Sequence, residues 1–175
     1  MPSVRVLIVS DNISMRMGGE ASLPFYYAKL FLRRGVDVWL GCHERVEKEL
    51  VAAFPELRSQ IRVAQDTRVQ KNLWRWSSML PYRMRDLLLD QVIRFSTQRR
   101  LRKIAIELAR SGKIDVVFEP APITPKGLSL MYNLGVPVVI GPMCGGINFP
   151  PAFADLDSLA TRSAVGLGRR AQDKR

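Results

Sequence analysis

Cysteine and histidine are nearly missing from this chain: 175 residues hold two cysteines and one histidine. Cys42 and Cys144 stand far apart with no CxxC pairing, which excludes a zinc ribbon and a disulfide framework. Both read as small apolar residues at strand ends, in a protein at home in a reducing cytosol. With His43 alone, a metal site built on imidazoles is excluded, and any histidine-based triad would depend on this one residue. Acidic residues are also scarce, 16 against 27 Lys and Arg, for a formal charge of +11 and a pI near 10.4. That balance favours anionic partners such as nucleic acid, acidic lipid headgroups or phosphorylated substrates. No uninterrupted apolar run reaches membrane length. Residues 127–154 carry no charge, but Pro137, Pro142, Pro150, Pro151 and several glycines break them into strand and loop. The N-terminal apolar run is too short for a signal-peptide core and reads as a first strand.

What is present is a strand and helix alternation. Val4 to Val9 is rich in β-branched residues and ends in the turn residues Ser10, Asp11 and Asn12. Ser22 to Arg34 has helical apolar spacing and stops at Gly35; Val36 to Gly41 is a second strand; Glu44 to Phe54 is a second amphipathic helix closed by Pro55; Ile61 to Ala64 is a short third strand. Alternation at this spacing predicts an α/β fold, an open parallel sheet with helices on both faces in a single domain. Residues 68–110 carry eleven basic residues against Asp86, Asp90 and Glu107. Two apolar stripes, Met84, Leu88, Val92, Phe95 and Leu101, Ile104, Ala105, Leu108, are out of phase and predict two helical pieces, or one helix bent near Ser96 and Thr97. Beyond Gly112 the pattern resumes with the strand IDVVF, a helix around Lys126 to Asn133, and the strand Val136 to Ile140. The domain is thus read over residues 1–155, with a basic helical insertion at about 68–111 and a basic tail at 156–175.

In an open parallel sheet, ligands bind outside the carboxyl ends of the strands. The loop after the first strand holds Gly18 and Gly19, which allow close backbone approach, before a helix whose free amides suit an anion such as a diphosphate. The same glycines could simply make a turn, and the loop is neither GxGxxG nor GxxxxGK[ST]. His43 falls at the same end, in HERVEKE, where a surface position is the plainer reading. Gly145 and Gly146, in GPMCGG, either line the cleft or turn the chain. Trp74, Arg75 and Trp76, with Arg99, Arg102 and Lys103 on one helical face, either rest on an anionic membrane surface or form a solvated basic face. No zinc finger or RNP-like aromatic pattern is present, so nucleic acid is not the expected partner.

Together, VLIVSDNISMRMGGEASLPFYYAKLFLRRGVDVWLGCHER, DVVFEPAPITPKGLSLMYNLGVPVVIGPMCGG and INFPPAF resemble the N-terminal, acceptor-side half of family 4 glycosyltransferases of the GT-B fold, over approximately Val4 to Phe153. The resemblance implies a Rossmann-like domain facing a donor-binding domain across a cleft, in a retaining enzyme that uses a nucleotide-sugar as co-substrate and needs no other cofactor. It implies that Gly18 and Gly19, with the adjoining Glu20, approach the donor diphosphate and the transferred sugar. Glu119 and Pro120 would match the pair that follows the family's cleft histidine, Glu119 standing on a rigid lip of the cleft. His43, Gly145 and Gly146 complete the expected substrate-binding set, with no catalytic residue assigned. Where many members have that histidine, this chain has Phe118, which can neither donate a hydrogen bond nor shuttle a proton. The chain also stops at Arg175, before a donor domain, so a donor-domain partner and a sugar or glycolipid acceptor are expected, with little transfer by the chain alone. The implied setting is cytoplasmic, with peripheral attachment to the inner membrane face. The competing reading is a non-catalytic basic module that docks on anionic membrane or on a protein partner.

Overall fold

The structure, a computed structural model, describes residues 4–65, 90–123 and 129–143. Among the described residues, five strands form one parallel sheet: β1 (Arg5–Val9), β2 (Asp37–His43), β3 (Ile61–Ala64), β4 (Val116–Glu119) and β5 (Val138–Ile140), in the order β3-β2-β1-β4-β5. The register aligns Val6 with Val38 and Val116, and Phe118 with Val139. Alternation of side chains sorts the strands into two cores. Val6, Ile8, Val38 and Leu40 face one layer, covered by α1 (Gly19–Arg33) and α2 (Glu47–Ala53) through Ala28, Phe25, Phe31 and Leu50. Leu7, Val9 and Val117 face the other, covered by α3 (Asp90–Arg110) through Leu101, Ala105 and Leu108. Over β1, β2 and β4 both faces are covered, so these strands read as near-continuous apolar runs, whereas Val139 and Ile140 of β5 stay exposed. This is the expected Rossmann-like arrangement of an open parallel sheet with helices on both faces.

Several boundaries move. Helix α1 begins three residues ahead of Ser22: Gly18, at φ 97°, caps it, and the Ser22 hydroxyl donates to the Gly19 carbonyl at 2.7 Å. Residues 44–46 form a 3-10 turn before α2. Helix α3 runs unbroken through Ser96 and Thr97. The described part of the expected Lys126 to Asn133 helix, residues 129–133, is not helical. Its Ser129 oxygen accepts from the Met131 amide at 3.2 Å, a local side-chain bond that competes with helix, and Asn133 takes a left-handed φ of 51°.

At the opposite edge from the carboxyl ends, Arg5 grips Asp115: Nη2 donates to Oδ1 at 2.6 Å, Nε to Oδ2 at 3.0 Å, and the Arg5 amide to Oδ2 at 2.9 Å. This fork fixes the β1/β4 register, and it holds the Asp115 carboxyl down at about 2 through the side-chain and backbone hydrogen bonds from Arg5.

Candidate functional site

The strand order places the reversal of winding between β1 and β4, so the loops leaving those two strands flank the crevice where such sheets bind ligands. The loop after β1 is built to hold its shape. Glu49 on α2 takes the Ser14 hydroxyl at 2.6 Å on one oxygen and the Met15 amide at 2.8 Å on the other. Arg45 donates Nε to Asn12 Oδ1 at 2.7 Å, and Ser14 donates its amide to the Ala21 carbonyl at 3.0 Å. The loop then reaches Gly18 and Gly19, both exposed, where an added Cβ would meet nothing within 4 Å. Space for an approaching group therefore lies directly over this backbone. At Gly18 the positive φ also demands glycine, since a side chain there is strained whatever the room around it.

Glu20 joins the two loops. Its Oε1 accepts the Ile123 amide at 2.7 Å, tying the first turn of α1 to the chain leaving β4. Gly18, Gly19 and Glu20 thus share one wall with Pro120, Ala121, Pro122 and Ile123. The Ala121–Pro122 peptide in this exit loop is cis, as is Gly141–Pro142 after β5.

Glu119 sits elsewhere than the expected lip. It is the last residue of β4, its side chain is fully buried, and it points into the α3 layer together with Val117. Ser129 donates its hydroxyl to Oε2 at 2.5 Å, and Gln98 of α3 donates Nε2 to Oε1 at 3.4 Å. The same Gln98 nitrogen donates to Asp11 Oδ1 at 3.1 Å, so one amide bridges two acids at the ends of β1 and β4. Arg94 approaches Asp11 Oδ2 at 3.6 Å. Burial, above all, pushes Glu119 up to about 7, with the Asp11 charge adding to the rise and the bonds from Ser129 and Gln98 opposing it. Burial raises Asp11 as well, against the pull of Arg94.

Phe118 changes meaning in this setting. Being one residue from Glu119 on a strand, it faces the opposite layer, edge-on to Tyr27 with ring centroids 4.8 Å apart and tilted against Phe31 at 5.9 Å. Its ring belongs to the packing beneath α1. The lack of histidine at this position therefore removes nothing from the crevice wall formed by the two loops.

His43 is also not where its sequence context suggested. Only 3% exposed, it ends β2; its Nδ1 accepts the Arg45 amide at 3.2 Å, and its own amide donates to the Asp11 carbonyl at 3.2 Å. It caps the 3-10 turn and pins the β1 exit. Cys42 is buried, with its thiol pushed up to about 12 by burial, a packing residue and not a nucleophile. Of the basic face, Arg99 lies over the Phe95 ring at 4.7 Å, Lys103 is exposed, and Arg102 turns inward, over the Tyr132 ring at 4.8 Å with Nη2 donating to the Tyr132 carbonyl. Trp74, Arg75, Trp76, Cys144, Gly145 and Gly146 lie outside the described residues. A shallow groove lined by Lys103, Ile106, Glu107 and Arg110 runs along the far half of α3 and includes none of the crevice residues.

Asp11, Arg94, Gln98 and Ser129 were not singled out from sequence. A signal for Gln98 existed: it continues the buried row of Leu101, Ala105 and Leu108 by one turn, and a polar residue on a buried row asks for a partner. Among the described residues no group of His, Cys, Asp and Glu could hold a metal ion, and no helix is long and apolar enough to cross a membrane. Compared with known proteins, the chain matches no family model, no curated protein and no solved structure.

Proposed function

We propose that this chain forms the acceptor-side, Rossmann-like wall of a retaining, nucleotide-sugar-dependent glycosyltransferase. The observation that carries the reading is the wall at the β1/β4 reversal: an open Gly18–Gly19 backbone at the start of α1, locked by Glu20 to the loop leaving β4. A helix start with exposed amides and no side chain over it favours a diphosphate oxygen. The braced loop means that little ordering is needed when the ligand arrives. The motif resemblance supplies the reaction class. Transfer also requires stabilisation of the leaving diphosphate from the far side of the cleft, and proximity of donor and acceptor accounts for much of the rate. In this proposal a donor-binding domain supplies that second wall, and the acceptor is a sugar or glycolipid.

With Phe118 in the packing beneath α1, its replacement of histidine does not distinguish the non-catalytic module from the enzyme. The exposed Arg99 and Lys103, with the net charge of +11, support placement at an anionic, cytoplasmic membrane face. Liposome sedimentation checks this placement; equal binding to neutral and acidic vesicles would contradict it.

The site itself is tested by NMR titration of the labelled chain with inorganic diphosphate and with a panel of nucleotide-sugars. Shifts centred on the Gly18, Gly19 and Glu20 amides, lost in Gly18→Val, are expected. Shifts confined to the α3 basic face, or none at all, would overturn the assignment. Assayed alone, the chain should transfer little or no sugar.

A further inference from the structure

We propose that Glu119 is a proton-dependent clasp: as a neutral acid it stays packed between the end of β4, α3 and segment 129–134, and the charge it gains on losing its proton favours the opening that exposes it. This proposal is independent of the transferase reading.

The geometry makes the case. Glu119 is fully buried, and both side chains bonded to its carboxyl are neutral. A buried carboxylate without a cation is strongly disfavoured, and a buried acid in that position keeps its proton. The charged groups around it reinforce this. From β1 the facing group is another acid, Asp11, held on the same Gln98 nitrogen. From α3, Arg94 is directed at Asp11 and Arg102 at the ring and carbonyl of Tyr132. From the end of β2, His43 and Arg45 likewise act on Asp11. Residues 129–134 and β5 contribute no charged side chain.

Ser129 and Gln98 donate to the carboxyl and so oppose the effect of burial, which remains the larger. Gln98 Oε1, on a side chain only 1% exposed, has no hydrogen-bond partner among the described residues. An ionised Glu119 would set its charge beside Asp11 on a single amide nitrogen. The position of Glu119 near 7, with burial as the leading cause, puts the transition in the neutral range.

What depends on the proton is the segment. Ser129 holds the start of residues 129–134, whose Met131 and Leu134 are buried in the α3 layer and whose Tyr132 receives Arg102. Opening that exposes Glu119 lets its acidity return to the ordinary 4.5, so deprotonation pulls the segment open. From 4.5 and about 7, the opening equilibrium should rise roughly thirtyfold between about pH 5.5 and about pH 8.5.

Hydrogen exchange by mass spectrometry on the full chain, corrected for intrinsic rates, measures this directly. Loss of protection in residues 129–134 by about that factor is expected in the native sequence, and a flat profile in Glu119→Gln. No pH dependence in the native chain, or the same dependence in Glu119→Gln, would overturn the clasp. Carboxyl ¹³C NMR of the unmodified chain gives a readout that does not rely on the variant folding. Titration of Glu119 near 7 supports the clasp, and titration near 4.5 refutes it.

Discussion

Replacing Phe118 by histidine, the residue that many members of the resembled family carry before Glu-Pro, should weaken the domain and complete no binding site. The ring lies edge-on to Tyr27 at 4.8 Å and against Phe31 at 5.9 Å, in the layer beneath α1. Losing aromatic contacts of this geometry costs about 0.5–1.5 kcal/mol, and placing imidazole nitrogens among aromatic rings costs about 1–3 kcal/mol more. Because Phe118 is only partly buried, the lower half of the summed range applies, about 1.5–3 kcal/mol. For a chain of this length that corresponds to a fall in Tm of roughly 3–12 °C. Protonation of a histidine in this layer adds to the loss, so Phe118→His should be less stable at about pH 5.5 than at about pH 8, relative to the native chain at each pH. Phe118→Leu, which keeps the apolar volume, should lose about 1 kcal/mol with no such pH dependence. Urea denaturation followed by circular dichroism measures all three. A histidine variant within about 0.5 kcal/mol of the native chain, or one that gains affinity for a sugar ligand, would refute the placement of Phe118 in the packing.

Three further outcomes follow from the same geometry. Gly18→Ala should cost about 1–2 kcal/mol from its positive φ alone, as an added Cβ meets nothing there; urea denaturation checks it, and a neutral effect would mean that the φ is wrong. Asp115 is held down at about 2, so the stability it contributes is present above the ordinary carboxylate value of 3.8 and is lost as pH falls toward 2; Asp115→Asn should flatten acid unfolding in that window. Cys42, with its thiol pushed up to about 12 and its side chain buried, should resist alkylation in the folded chain and react after denaturation, as peptide mass mapping would show.

The sheet was legible in the sequence because strands covered on both faces must be largely apolar, and Val4 to Val9, Ile61 to Ala64 and IDVVF have that character, with one charged residue each, Arg5, Arg62 and Asp115. The same property hid the site. With both faces apolar, the sequence does not say which layer Phe118 or Glu119 enters, and one step along the strand decides between the packing under α1 and the bridge to α3. The partners of the acid at the end of IDVVF lie 21 residues before it, at Gln98, and 10 residues after it, at Ser129. Ser129 fell inside an expected helix. Its hydroxyl instead bonds Glu119 and its oxygen the Met131 amide, a tertiary contact that local propensity cannot register. His43 was misplaced for a similar reason: the polar run HERVEKE suggests a surface, yet β2 extends two residues beyond Gly41 and carries the imidazole inside.

The most direct test of the transferase proposal is nucleoside-diphosphate release from a panel of nucleotide-sugars by the assembly that contains this chain, captured from its native source. Turnover of at least one nucleotide-sugar is expected, dependent on a second, donor-binding domain and reduced at least about tenfold by Gly18→Val, a loss of roughly 1.4 kcal/mol in transition-state stabilisation. An assembly that turns over none of them, or one whose turnover is indifferent to Gly18→Val, would contradict it.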